Sequence, residues 1–222
     1  MKLLHILLSG ILLSGIFGFS QVNTGTISVD CIEGNEKEKT ENRKTSPFNG
    51  LHVDGAFNVL AVCGQKQKIT VTGDSNIVPH IVTKVRNGIL FLAAKKSICS
   101  KIPVTIRISI ENIQSVTTSG ANDIVVSNIN NSKIKFDGDG SGDTTLSGRT
   151  NLLTASLKGS LNLHAKNLIA DEVRITAADS TEAVIHAAMT LSAASRDVGE
   201  IVYYGNPSKI TKEENDIGEI IA

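Results

Sequence analysis

A run of alternating acidic and glycine residues from Asp137 to Asp143 is the segment of this sequence with the clearest chemistry. It reads Asp-Gly-Asp-Gly-Ser-Gly-Asp, so oxygen-bearing side chains occupy alternate positions. Calcium loops begin in this way, because alternating carboxylates converge on a hard cation while glycine allows a sharp turn. The glutamate that closes such a loop is replaced by Gly148. The sequence therefore predicts no cofactor, and no metal beyond an incomplete calcium candidate that consists of Asp137, Asp139, Ser141 and Asp143.

A second set of candidates lies at polar turns and at a pair of tyrosines. Tyr203 and Tyr204 are adjacent, so alternation along a strand would turn one ring towards solvent, where aromatic residues often contact partners. Polar side chains at successive turns would form a long surface that recognises a ligand by many weak contacts. The predicted ligand-binding residues are Asn122, Asp123, Asp139, Asp143, Ser160, Tyr203 and Tyr204.

No catalytic residue is predicted. The carboxylates Asp123, Asp143, Asp179 and Asp197 fall at turns, where aspartate is favoured because it bonds its own backbone. The sequence contains no Ser-His-Asp spacing, no Cys-His pair and no phosphate loop. A carbohydrate-active β-helix enzyme, a polysaccharide lyase or hydrolase, remains an alternative if these carboxylates converge in one groove.

The elements that must position these residues follow a degenerate repeat of roughly twenty residues. Each unit holds two short apolar runs around a Gly, Ser, Asp or Asn turn, and such units bury their apolar faces against their neighbours. The pattern predicts about six rungs of a right-handed parallel β-helix, a β-solenoid, over residues 113–222. Shorter strands are predicted over residues 48–112, most clearly from Val104 to Ile110, where apolar and polar residues alternate. The repeat begins at Val116, Ile134, Leu153, Val173, Leu191 and Ile210.

The N-terminus has the features of an export signal. Lys2 precedes an apolar stretch from Leu3 to Ile16, which is too short to span a bilayer, and small residues near Ser20 fit a signal-peptidase site. We expect residues 1–20 to be a signal peptide and the charged residues 21–47 to be a flexible polar linker. No later stretch predicts a membrane span. The chain is therefore expected to be exported, to the periplasm or to the outer cell surface.

The cysteines and the charge balance narrow the partners further. Export favours disulfide formation, and we expect Cys63 to pair with Cys99, which leaves Cys31 as a free or capped thiol or as an intermolecular link.

The 22 Lys and Arg residues balance 22 Asp and Glu residues, and no basic stripe is present. Nucleic acid is therefore not an expected partner.

Short motifs appear in an order that is typical of one family. They are FNGLHVDGAFNVLAVCGQKQKITVTGD (residues 48–74), NGIL (87–90), VTTSGANDI (116–124), YGNPSKI (204–210) and DIGEI (216–220). This order resembles the exported bacterial domain known as the putative auto-transporter adhesin, head GIN domain. The resemblance covers residues 48–222, and it implies a right-handed β-helix preceded by a β-strand region. It implies no agreed catalytic or ligand-binding residues.

These observations predict an exported, non-catalytic, all-β module that is either adhesin-like or structural in the bacterial cell envelope. The expected partner is a cell-surface glycan or protein. A self-associating envelope scaffold is a further alternative to the enzyme, because the open ends of a solenoid expose unpaired strand edges through which a homo-oligomer could form.

Overall fold

The computed structural model of the chain describes residues 30–214 and 217–222. The predicted signal peptide, residues 1–20, lies outside the described residues, as do residues 21–29 of the predicted linker. The chain is all-β, as predicted, with 71% strand. The strands are β1 (Ile32–Glu33), β2 (Glu38–Arg43), β3 (Gly50–Gly55), β4 (Asn58–Val62), β5 (Lys68–Asp74), β6 (Ile81–Arg86), β7 (Ile89–Ala94), β8 (Ile98–Cys99), β9 (Thr105–Ser109), β10 (Ser115–Ala121), β11 (Asp123–Ala177), β12 (Glu182–Ser195), β13 (Glu200–Tyr204), β14 (Lys209–Glu214) and β15 (Glu219–Ile221).

The prediction of a right-handed parallel β-helix is wrong. Thirteen strands form one nearly closed sheet with mixed strand order, and β1 and β8 form a separate pair. Within the large sheet β5 pairs antiparallel with both β2 and β9, and β6 pairs antiparallel with β7. The apolar period of the sequence reports which side chains are buried, but it carries no information on strand direction or strand order. It therefore could not show that the N-terminal strands join this same sheet.

Parallel pairs dominate the later part of the sheet. β10 pairs in parallel with β3 and β11, and β11 pairs in parallel with β4 and β12. The register places Ser115 beside Lys135 and Asn162 beside Glu182. Because neighbouring strands run in parallel, side chains at aligned positions lie in columns across the sheet.

Alternating side chains build the core. In β9, Ile106 and Ile108 are fully buried while Arg107 is exposed, which confirms the strand predicted from Val104 to Ile110. Phe57 and Phe136 are the largest fully buried side chains. The other core residues are mostly branched aliphatics and alanines, whose burial supplies the main stabilising free energy of the sheet.

The segment before Phe48, predicted as part of a flexible linker, is ordered in the described residues. β2 pairs with β5 from Glu38 beside Asp74 to Arg43 beside Ile69. A strand can form from such charged residues because it lies at the edge of the sheet, where its side chains reach solvent. The ordered region therefore begins well before residue 48.

Asp74 ties this segment to the rest of the sheet. Its carboxylate is fully buried and accepts hydrogen bonds from the backbone N–H groups of Glu36 (2.7 Å), Lys101 (2.9 Å) and Ile102 (3.0 Å). Burial raises the pKa of Asp74, but these backbone donors outweigh it, so that the pKa lies below its usual value. The ionised carboxylate thus joins three segments that are distant in sequence.

The predicted disulfide is also wrong. Cys31 pairs with Cys99, with their Cα atoms 5.7 Å apart, and Cys63 is a buried free thiol. The bond fits the parallel pairing of β1 with β8, which places Glu33 beside Cys99. Burial raises the pKa of the Cys63 thiol, although a backbone hydrogen bond at Ile113 lowers it. Cys63 is therefore a core residue, and Cys31 is not available as an intermolecular link.

None of the described residues belongs to a helix that is long and apolar enough to cross a membrane.

Candidate functional site

An open cleft of about 1040 Å³ lies between three connecting segments. These are residues 47–49 before β3, residues 64–67 between β4 and β5, and residues 110–114 between β9 and β10. Backbone hydrogen bonds hold the walls together: Gly64 donates to Glu111 (3.0 Å), and Gln114 donates to Asn49 (2.7 Å). The cleft is therefore part of the rigid framework of the sheet.

Carboxamide side chains dominate the lining of this cleft, which we call the amide cleft. Phe48 and Ile110 form its floor and are buried. Lys66 and Glu111 also line it, and their opposite charges leave the cleft without net charge. The lining amides are Asn49, Gln65, Gln67, Asn112, Gln114 and Asn130.

Several of these amides are held at one end only. Asn49 Nδ2 donates to Gln114 Oε1 (3.2 Å), and Asn112 Oδ1 accepts from Asn131 Nδ2 (3.3 Å). Gln67 Nε2 donates to the backbone carbonyl oxygen of Thr45 (3.3 Å) and to its hydroxyl (3.1 Å). A carboxamide carries both an acceptor and a two-hydrogen donor, so each such side chain keeps its other end for a ligand.

The amide cleft was not predicted from the sequence. Its residues lie in stretches that are far apart along the chain, and no spacing between them is periodic. The only available signal was the frequency of Asn and Gln beside predicted turns, which by itself indicates turn formation as readily as binding.

The structure separates the predicted turn residues by role. Asn122 is buried, and its amide binds the backbone N–H of Phe57 (3.1 Å) and the hydroxyl of Thr118 (3.1 Å), so it stabilises the bend and is not accessible to a ligand. Asp123 and Asp143 are exposed and close together, because the Asp143 backbone N–H donates to Asp123 Oδ1 (3.1 Å).

Asp139 and Ser160 occupy exposed positions in β11, and Asp139 lies beside Ser119 of β10. The two tyrosines differ. Tyr203 is buried, whereas Tyr204 is 40% exposed with the ammonium of Lys166 lying 3.8 Å from the centre of its ring. The alternation expected for this pair is thus confirmed, and Tyr204 is the exposed partner.

The calcium candidate does not form a cluster of carboxylates. Asp137 pairs with Lys135 (2.6 Å), and Asp143 accepts from Asn162 Nδ2 (2.9 Å). Among the described residues, the one group of three His, Cys, Asp or Glu side chains that are close enough to share a metal ion is Cys31, Glu33 and Cys99. Its two sulfur atoms form the disulfide, so this group is not a metal site.

The turn aspartates that an enzyme would need serve the backbone instead. Asp179 Oδ2 accepts from the backbone N–H of Gly159 (2.9 Å), and Asp197 Oδ2 lies 3.5 Å from the backbone nitrogen of Asp179. Both residues have positive φ, 58° and 57°, as expected for aspartates at bends. Their placement follows from turn chemistry.

The family model described as "Putative auto-transporter adhesin, head GIN domain" matches residues 47–207 of the chain. No curated protein matches it in sequence.

Solved structures share the fold at low sequence identity. A putative adhesin from Bacteroides fragilis is similar with a TM-score of 0.71 at 23% identity, over 86% of this chain and 99% of that chain. A putative lipid binding protein and a putative adhesin, both from Parabacteroides distasonis, have TM-scores of 0.56 and 0.52 at 20% and 19% identity. Each again covers 86% of this chain and 99% of its own.

Proposed function

Because the chain belongs to the family described as putative auto-transporter adhesin, head GIN domain, we propose that it is an exported, adhesin-like binding module without catalytic function. The amide cleft is the observation that carries this proposal. It is preformed, large enough for a ligand, and lined mainly by carboxamide groups that form hydrogen bonds. A cell-surface glycan or protein is the proposed partner.

The exposed turn residues predicted from the sequence form a second proposed contact surface. Asp123 and Asp143 lie together on it, and Asp139, Ser160 and Tyr204 are exposed. Each is accessible, but each offers a single contact on an open face. We expect this surface to add weakly to binding at the cleft.

Export is part of the proposal. Residues 1–20 are the proposed signal peptide, and residues 48–222 are the proposed binding domain. The Cys31–Cys99 bond supports this assignment, because disulfides persist in oxidising compartments outside the cytoplasm. We place the protein on the outer cell surface, where an adhesin-like module meets its partner.

Protease shaving of intact cells that express the full chain tests the location. Degradation on intact cells, with a periplasmic marker protein left whole, is the expected result. Protection until the cells are lysed would contradict a surface role and would favour an envelope-structural role in the periplasm. Lysed cells are the control that the protease cleaves the chain at all.

Self-association is a second candidate function, and one feature favours it. β14 pairs with β12 alone among the described strands and is exposed along its whole length, including Ile210 at 45%. An open strand edge is a template for pairing with another chain. Sedimentation equilibrium of the chain and of the Ile210→Lys variant tests this candidate. A monomer at all concentrations would exclude it.

A further inference from the structure

We propose that the amide cleft binds a neutral saccharide. The proposal rests on the proposed binding function and assigns its ligand class and its site. The charge of the residues that line the cleft favours a neutral ligand. Lys66 and Glu111 are the two ionised side chains in the lining, and they offset one another. A cleft of this kind has no net attraction for an acidic or basic ligand, so neutral ligands are favoured.

The hydrogen-bonding pattern of the cleft amides matches that of a sugar. Carboxamides present a donor and an acceptor side by side, and vicinal hydroxyl groups of a sugar present the matching pair. Asn49 and Gln114 are fixed to each other by one hydrogen bond, which leaves the Asn49 oxygen and the Gln114 NH₂ group without a protein partner among the described residues. Gln65 and Asn130 stand exposed at the rim with both ends available.

Part of the cleft is preorganised for binding. Asn112 and Gln67 are each held at one end by the protein, and the wall segments are joined by backbone hydrogen bonds. Ordering flexible side chains costs free energy on binding, and groups already held in place avoid much of that cost. Saccharide binding, in which each hydroxyl contributes little, benefits most from such an arrangement.

The walls also argue against a peptide. Peptides in extended form bind by adding a strand to a free sheet edge and by inserting side chains into pockets. The amide cleft is bounded mainly by connecting segments, and its floor of Phe48 and Ile110 is packed into the core. It therefore offers neither an edge strand nor deep apolar pockets.

Binding of defined oligosaccharides to the purified chain tests the proposal. The neutral probes are the six-sugar oligosaccharides cellohexaose, maltohexaose, xylohexaose and mannohexaose, and the acidic probe is a hexagalacturonate. Titration is followed by calorimetry and by the side-chain NH₂ resonances of Asn and Gln. We expect at least one neutral hexamer to bind, to move the resonances of the cleft amides, and to bind more tightly than the acidic probe.

The double variant Gln65→Ala, Asn130→Ala should weaken that binding by about tenfold, since two exposed hydrogen-bonding groups are lost. Asn167→Ala removes an exposed amide outside the cleft and should leave affinity unchanged. Equal thermal melting of the three proteins shows that the fold is intact.

Three results would overturn the saccharide assignment: no neutral hexamer binds at millimolar concentration, the double variant binds as well as the parent, or an unstructured peptide library competes for the cleft. The proposed binding function would survive any of these if the chain is degraded on intact cells in the shaving experiment. Protection in that experiment would remove the adhesin-like role while leaving a measured saccharide site in place.

Discussion

The part of the sheet built from residues 31–112 and the part built from residues 113–222 gain their order in different ways. In the first, side chains tie distant segments together: the Cys31–Cys99 bond spans 68 positions, and Asp74 binds two separate backbone segments. In the second, parallel strands stack directly, and backbones approach so closely that a Cβ atom at Gly140 would collide with the backbone of Gly120. The order of the first part therefore depends on specific side-chain contacts, and the order of the second depends on the close approach of neighbouring backbones.

This difference explains where the cavity lies. Aligned parallel strands leave a flat polar face, whereas connecting segments of unequal length leave gaps between them. The amide cleft is lined mainly by connecting segments of the first part, with Gln114 and Asn130 contributed by the second. Irregular connections therefore supply the recognition surface, and the regular sheet supplies the rigid support.

Loss of the disulfide should give the largest effect on the first part. The double variant Cys31→Ser, Cys99→Ser should lower the free energy of unfolding by about 4 kcal/mol, because the unfolded chain regains the entropy of a long closed loop. Urea denaturation measures this. Cys63→Ala is the control for loss of a cysteine, with a cost of about 1 kcal/mol from the small cavity. A free energy of unfolding unchanged in the Cys31→Ser, Cys99→Ser variant would show that the disulfide adds nothing to stability.

A glycine substitution tests the dependence of the second part on space. Gly159 and Gly64 have nearly the same backbone angle, φ +84° and +81°, but an added Cβ meets the backbone of Gly140 at Gly159 and nothing within 4 Å at Gly64. Gly159→Ala should therefore cost about 3 kcal/mol and Gly64→Ala about 1 kcal/mol, the latter from backbone strain alone. Denaturation midpoints of the two variants would be indistinguishable if close backbone packing did not matter.

The sequence predicted local features well and connections poorly. The strand from Val104 to Ile110 follows from the alternation of apolar and polar residues. The fold type was wrong because strand direction in the first part depends on pairings between distant segments. β2 reads as a charged linker because, as an edge strand, it buries little.

The site was missed for the same physical reason. Asn122 was predicted to bind a ligand because polar side chains at successive turns would form a recognition surface, and the structure shows the turn itself using that amide. The cleft amides come from four separate stretches, so their proximity depends on the same long-range pairings that the sequence did not reveal.

Acid should weaken the first part selectively through Asp74. Its pKa lies below the usual value in the folded chain, so its stabilising effect is complete above the ordinary aspartate pKa, near 4, and is lost as pH falls towards the folded-state pKa. The melting temperature should therefore fall as the pH is lowered from about 5 to about 2.5. Asp74→Asn should melt lower at neutral pH and show a smaller drop on acidification. A parallel pH profile in the variant would contradict this role.

The smallest predicted effect concerns Tyr204 in the second part. Lys166 lies over its ring, and a cation–π contact at an exposed site contributes about 0.5 kcal/mol, so Lys166→Gln should lower stability by that amount. The chain has 2 Tyr and 0 Trp residues, and Tyr203 is buried, so acrylamide quenching of tyrosine fluorescence reports on Tyr204. Quenching should increase in the variant because the covered face opens. Unchanged quenching would mean that the face of the Tyr204 ring is already accessible to solvent when Lys166 is present. Tyr204 would then, like the cleft amides, keep part of its surface available to a ligand.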